Sequence, residues 1–303
     1  MLLLPENAKI IGQGITGAEG SSALPWMLSY GTNIVAGVTP GKGGQKLGKI
    51  PIFNTVKEAV ASVGRADGAI QFVPPVYARM AATEAIDAGI KFILIGAEKV
   101  PTKDAAVIYE YAKRMNVSVI GPSSVGLISP HRKIKIGAIG GMDPSRVFVD
   151  GNVAVISKSG GMTSEMGLLL KNHGLGVSWA VGIGGDRIVA TDFVDFLLEL
   201  EKDAKTKASV IFGELGGTYE ERVAEFVKSG KIKKPVVAFI AGEFTTSLPS
   251  DVQFGHAGAI IEGKLGLPEE KRRILREAGV AVAEDFDEIP GLINQAINTN
   301  EHQ

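Results

Sequence analysis

His256 stands between glycines in the run Asp251-Val-Gln-Phe-Gly255-His256-Ala-Gly258. A histidine so flanked has little to pack against and room to swing. Neutral imidazole is a good acceptor for a phosphoryl group near neutral pH. Taken alone, such a histidine is more commonly an ordinary loop residue. The other three compete poorly: His173 falls at a predicted helix C-terminus, where a cation suits the helix dipole, His131 sits in a basic stretch, and His302 is in the tail. Glu214, in Phe212-Gly-Glu214-Leu-Gly-Gly217, ends a predicted strand. That edge is where ligands bind in open α/β sheets, and a carboxylate there can orient an imidazole. It can equally serve the N-terminus of the helix that follows. Glu98, in Gly96-Ala-Glu98-Lys-Val-Pro101, holds the equivalent edge of an earlier sheet and has the same two readings.

Two glycine-bearing turns suit anions. Ser157-Lys158-Ser159-Gly160-Gly161-Met-Thr163 follows a strand and opens a helix, leaving amides unpaired at the positive end of the dipole. Ser159 is also a good N-cap, and capping and anion binding use the same geometry. Gly12-Gln-Gly14-Ile-Thr16-Gly17-Ala-Glu-Gly20 follows the first strand and can hold a phosphate in the same way, or be a plain tight turn. No acidic residue closes the next strand, which disfavours a nicotinamide nucleotide. Val38-Thr-Pro40-Gly-Lys42-Gly-Gly44 follows instead. A lysine on a flexible turn suits a phosphorylated ribose, as in CoA.

These residues need elements to position them. Apolar runs and amphipathic stretches alternate twice. Strands are predicted at 9–12, 33–37, 68–73, 91–95 and 117–120, with helices at 55–63, 77–88 and 102–115. The pattern restarts with strands at 152–157, 177–181, 208–212, 235–240 and 280–283, and helices at 161–173, 192–203, 219–229, 269–277 and 285–297. The expected class is α/β: a Rossmann-like domain over 1–130, a connector over 131–150 rich in Gly, Pro, Ser and basic residues, and a flavodoxin-like domain over 151–303. Pro25 conflicts with the first helix, which is expected to start late or kink there.

With a formal net charge of −1 and no dense basic run, nucleic acid and anionic membranes are not expected as partners. No apolar stretch reaches the roughly 18 residues of a membrane span, and the start is a poor signal peptide. The absence of cysteine excludes disulfides and a catalytic thiol. The four histidines lack metal-site spacing, so no metal site is expected in this chain. The expected location is cytoplasmic.

In combination these segments resemble the succinyl-CoA synthetase α-subunit family along essentially the whole chain. The matching runs include Val38-Thr-Pro-Gly-Lys-Gly-Gly44, Pro51-Ile-Phe-Asn-Thr-Val-Lys-Glu-Ala59, Phe72-Val-Pro-Pro75, Gly182-Ile-Gly-Gly-Asp186, Gly213-Glu-Leu-Gly-Gly217 and Gly255-His-Ala-Gly-Ala-Ile-Ile261. The resemblance implies a CoA-binding domain lined by Gly14, Thr16, Gly17, Lys42, Val73 and Pro74. A ligase domain follows, in which His256 is phosphorylated, Glu214 hydrogen-bonds it and Ser159, Gly160 and Gly161 hold the phosphate. Glu98 stands beside them as a further candidate catalytic residue. It also implies that ATP, with Mg2+, binds an ATP-grasp partner subunit, so that the chain works in a hetero-oligomer.

Departures from the family pattern bear on the acid. Ser157-Lys-Ser-Gly-Gly-Met-Thr163, Asp251-Val-Gln-Phe-Gly-His256, Gly121-Pro-Ser123-Ser124-Val-Gly126 near the acyl site, Lys135-Ile-Gly137 with Gly140-Gly-Met142, and Gly184-Gly-Asp-Arg187 each look like ATP-citrate lyase. The sequence in hand stops at Gln303 without the lyase domain of those enzymes. The expectation is therefore a synthetase that forms citryl-CoA from citrate, CoA and ATP and leaves cleavage to a separate lyase. Succinate or malate as the acid is the nearest rival. A CoA-binding regulatory protein without turnover is a rival of another class, and a nicotinamide dehydrogenase a distant third.

Overall fold

The computed structural model describes residues 2–242 and 266–301; His256 and His302 lie outside the described residues. The first half runs β1 (Lys9–Gln13), α1 (Ala18–Tyr30), β2 (Asn33–Val38), β3 (Lys46–Leu47), β4 (Ile50–Phe53), α2 (Val56–Val63), β5 (Gly68–Gln71), α3 (Ala78–Asp87), β6 (Phe92–Ile95), α4 (Thr102–Arg114) and β7 (Ser118–Ile120). Its sheet has the order β3-β4-β2-β1-β5-β6-β7, parallel from β4 to β7, with β3 antiparallel on the edge. This is the doubly wound Rossmann-like order, in which the winding reverses between β1 and β5.

The second half runs β8 (Gly126–Ser129), β9 (Ile134–Gly137), β10 (Asp150–Ser157), α5 (Gly160–Asn172), β11 (Val177–Gly182), α6 (Phe193–Leu200), β12 (Ala208–Glu214), α7 (Tyr219–Lys228), β13 (Val236–Ala241), α8 (Pro268–Glu277), β14 (Ala281–Ala283) and α9 (Ile289–Glu301). Its parallel strands follow the order β14-β13-β12-β10-β11, the flavodoxin-like arrangement, with the reversal between β10 and β12. The strands read as mainly apolar runs because both faces are covered: every residue of β11 is buried, as are the first six of β12, Ser178 and Ser209 included. Among the described residues no helix is long and apolar enough to cross a membrane.

Two expectations are corrected. Part of the stretch read as a connector is strand: β9 pairs antiparallel with β8, and β8 pairs antiparallel with β11, extending the second sheet. Lys133 and Lys135 gave this stretch a polar look, yet all four residues of β9 are buried. Of the two expectations for α1, a late start is the one overturned: the helix begins at Ala18 and runs through Pro25. Pro25 is exposed while Ala23, Leu24 and Met27 are buried, so packing offsets a cost of about 3 kcal/mol for an interior proline.

The β8–β9 hairpin also ties the two halves together. Thr32 Oγ1 donates to the Lys135 carbonyl at 2.6 Å and accepts the Lys135 N–H at 2.9 Å, and Arg132 donates to the Leu4 carbonyl at 2.7 Å. The Lys135 side chain is fully buried, bonded to the Gly141 carbonyl and 5.3 Å from the Trp26 ring centroid. Burial pushes its ammonium down to about 8 from 10.5. The folded chain therefore holds fewer protons than the unfolded one between those values, and the burial penalty, full below pH 8, is relieved as pH rises toward 10.5. Lys135→Met has no such penalty. Its melting temperature relative to wild type is expected to fall steadily between pH 7.5 and 10 in thermal scans; a constant difference refutes the assignment.

Candidate functional site

The reversal in the first sheet opens a cavity of about 520 Å³ lined by the C-terminal ends of β1, β2 and β5 and by α3. All six residues expected around CoA, Gly14, Thr16, Gly17, Lys42, Val73 and Pro74, line it. Gly14 turns the chain at φ +72°, and a Cβ there would stand 2.8 Å from the Phe72 carbonyl oxygen, so only glycine brings this backbone so close. Gly17 is the N-cap of α1 and has no side chain to occupy the free amides of the first turn. The Lys42 ammonium donates to Thr16 Oγ1 at 3.1 Å, and Thr16 Oγ1 donates to Thr39 Oγ1 at 3.1 Å. Phe72, Val73, Tyr77 and Met80 supply an apolar wall, Tyr77 and Met80 more than half exposed at its rim. A cavity with a cationic turn, free helix amides and an apolar wall fits a phosphorylated nucleotide with a long neutral arm.

Sequence reasoning missed Asn54 here. Its Oδ1 accepts the N–H groups of Gly41 at 2.9 Å and Gly43 at 3.0 Å, which orders the turn that presents Lys42. The residue follows β4, a strand the alternation did not reveal. It also missed Gln13, whose amide donates to the Ala81 carbonyl at 2.9 Å and accepts from Gln71 at 3.0 Å under the floor of the cavity.

The reversal in the second sheet opens a smaller polar cavity of about 210 Å³. It is lined by Lys158 after β10, by Gly184, Asp186 and Arg187 after β11, and by Glu214 and Tyr219 at and beyond the end of β12. Ser157 pairs with Phe212 across β10 and β12, so Lys158–Ser159 and Gly213–Glu214 leave the same edge side by side. Ser159 caps α5, its Oγ accepting the Met162 N–H at 3.4 Å. A Cβ on Gly160 would press Val125 at 2.9 Å, whereas Gly161 faces open space, with nothing within 4 Å. The first turn of this 13-residue helix keeps open space at Gly161, although Ser159, Gly160 and Gly161 do not line the cavity that Lys158 and Glu214 share.

Ser124 is buried, donating to the Gly182 carbonyl at 2.6 Å and accepting the Gly126 N–H at 3.1 Å, while Ser123 adopts φ +61° at the junction of the halves. Glu98 is exposed beyond β6 and lines neither cavity. His256 falls outside the described residues, but the chain departs at Gly242 and re-enters at Gly266, and both ends touch the Glu214 turn. A Cβ on Gly242 would stand 2.9 Å from Leu215 Cδ2, and Gly266 accepts the Gly216 N–H at 2.8 Å. Among the described residues no group of three or more His, Asp or Glu is placed to hold a metal.

Comparison with known proteins finds a CoA binding domain model matching residues 5–99 and a CoA-ligase model matching residues 156–284. The ADP-forming succinate–CoA ligase subunit alpha 1 of Archaeoglobus fulgidus is 45% identical over 93% of this chain and 94% of its own length. The malate–CoA ligase subunit alpha of Methylorubrum extorquens is 39% identical over 94% of each. Among solved structures, ATP citrate lyase from Methanothrix soehngenii in complex with citrate and coenzyme A superposes with a TM-score of 0.90 at 27% identity. That match covers 99% of this chain but 51% of the lyase chain, so this chain spans about half its length.

Proposed function

Because the chain belongs to the succinate–CoA ligase α-subunit family, we propose that it is the CoA-binding, phosphohistidine-bearing subunit of an ADP-forming synthetase that makes citryl-CoA. As an acid–thiol ligase subunit it faces a chemical obstacle: a carboxylate is a poor electrophile, and a covalent relay divides its activation into accessible steps. An imidazole nitrogen of His256 attacks the γ-phosphorus of ATP held by an ATP-grasp partner that would also carry Mg2+; the N–P bond forms, the bridging P–O bond breaks, and ADP leaves with that electron pair. A carboxylate oxygen of the acid then attacks phosphorus, the N–P bond breaks, and an acyl phosphate forms beside Ser159–Gly161. The sulfur of CoA attacks the acyl carbon, the C–O bond breaks, and phosphate leaves with that electron pair while the thiol proton passes to solvent.

The observation that carries the reading is that Lys158, next to the cap of α5, and Glu214 line one polar cavity at the edge where β10 and β12 pair, so that a carboxylate able to orient imidazole shares a cavity with the residue that leads into the α5 N-terminus. Citrate as the acid is supported by the backbone likeness to ATP citrate lyase. A four-carbon diacid is the second reading, and the higher identity to the A. fulgidus and M. extorquens chains favours it. The test is ADP release by the complex with its nucleotide-binding partner, given CoA and citrate, succinate or malate in turn. CoA-dependent release with citrate alone supports the proposal. A preference for succinate or malate replaces the acid, and silence with all three in an intact complex favours a regulatory CoA-binding role.

The first cavity carries its own expectation. If Lys42 meets the phosphate on the CoA ribose, Lys42→Ala weakens CoA binding about tenfold, or roughly 1.4 kcal/mol, because Lys42 is exposed and the contact is partly screened. Affinity for 3′-dephospho-CoA stays nearly unchanged. Titration calorimetry of both ligands decides it, and equal losses overturn the contact.

A further inference from the structure

Beneath the loops of the polar cavity lies a charge cluster that the relay above leaves without a task. Lys158 is 6% exposed, and Glu220 and Lys271 are fully buried. Glu220 is the hub. Its Oε1 accepts from the Lys158 ammonium at 3.0 Å and from the Glu214 N–H at 3.3 Å, and its Oε2 accepts from Lys271. Lys271 also donates to Glu221 Oε2 and to the Gly217 carbonyl, both at 2.9 Å. One carboxylate thus joins the residue before the α5 cap, the last residue of β12 and the first turn of α8.

Burial pushes the Glu220 carboxyl up, but the ammonium groups of Lys158 and Lys271 overcome this and hold it below its ordinary value, so it is ionised. Buried ion clusters seldom add net stability over apolar packing of equal volume. The cluster balances two lysines against two carboxylates, Glu220 and Glu221, and the two lysines face different ways. Lys158 lines the cavity together with Glu214, Asp186 and Arg187, and its alkyl stem brings the ammonium 5.3 Å from the Tyr219 ring centroid.

We propose that Glu220 and Lys158 are positioning residues for the phosphoryl dianion: from a single oxygen Glu220 fixes both Lys158 and the backbone of Glu214, setting the gap between the Glu214 carboxylate and the amide end of α5. The proposal rests on the phosphohistidine reading. Lys158 contributes a fixed positive charge to that gap, where a water-poor environment strengthens it.

The test uses the complex with the nucleotide-binding partner and follows acid-labile phosphate transferred from ATP, together with the phosphate concentration that half-saturates the reverse reaction. Lys158→Met is expected to slow phosphoenzyme formation about 10- to 100-fold, the usual scale for a residue that supports others at a site. It should also raise the half-saturating phosphate concentration while leaving CoA affinity, read in the first domain, unchanged. Lys158→Arg should recover most of the rate, since it restores the charge. Should Lys158→Met aggregate, Lys158→Gln serves the same comparison. Wild-type rates in a folded Lys158→Met overturn the proposal alone, and so does a loss that Lys158→Arg fails to recover. A wild-type complex that forms no phosphoenzyme overturns the relay, and this proposal with it.

Discussion

Replacing His256 with alanine is expected to lower ATP-dependent acyl-CoA formation on the order of 10⁴-fold or more, while CoA still binds. The size follows from the chemistry. In the proposed relay ATP and the acid bind different subunits, and without an imidazole nitrogen to carry the phosphoryl group they have no shared covalent intermediate. Under that proposal Glu214 and the α5 amides only stabilise what His256 carries, so they cannot substitute for it. The described residues on either side of the segment that holds His256 both lie at the Glu214 turn, Gly242 against Leu215 and Gly266 bonded to Gly216. Loss of the acid-labile phosphate should therefore accompany loss of turnover, with CoA affinity unaltered in the cavity of the first sheet. Residual turnover above about one part in 10³ would mean that another nucleophile acts.

The second large effect is structural. Gly184 has φ +104°, and a Cβ there would stand 2.0 Å from the Pro122 carbonyl oxygen. Backbone meets backbone, so no side-chain rotation relieves the contact. Strain at a left-handed residue and overpacking together predict that Gly184→Ala costs about 2–5 kcal/mol. For a chain of this size that is a fall in Tm of about 4–10 °C. Gly217→Ala is the internal control. Gly217 also has a positive φ, +62°, but a Cβ there meets nothing within 4 Å. It should lose only the conformational cost, about 1–2 kcal/mol. Equal losses in the two variants would show that the close approach at Pro122 relaxes freely. Because Gly184 also lines the polar cavity, its variant should lose turnover at temperatures where the fold is still intact.

The sequence made the architecture legible wherever a strand is buried on both faces. Phe92–Ile95 is an unbroken apolar run and Ala208–Phe212 is broken only by Ser209, and their places in the two sheets follow from the alternation with helices. Strands β8 and β9 escaped because β9 buries a lysine, and alternation cannot distinguish a solvated Lys135 from one held by a carbonyl and an indole ring. Glycine spacing pointed to Gly14, where φ is +72° and a Cβ would meet the Phe72 carbonyl, and to Gly161, which keeps open space in the first turn of α5. The charges beneath the site were hidden for a different reason. Glu220 and Lys271 look like a first-turn acid and a surface base of two amphipathic helices, and only the packing of α7 on α8 brings them together. Asn54 was equally silent, since its task is to order a turn more than ten residues away.

The β8–β9 hairpin limits how this chain can be recombined with others. A breakpoint at 130/131 would give β8 and β9 to different parents, although each pairs with the other and β8 pairs with β11. A breakpoint between Ile120 and Gly126 keeps the hairpin whole, but the incoming nucleotide module must then present its own hydroxyl where Thr32 meets Lys135 and its own sulfur where Met27 meets Gly137. Modules exchanged between such ligases are therefore compatible in proportion to how well the face of α1 and the turn after it match the hairpin, and resemblance of the nucleotide pocket does not predict it.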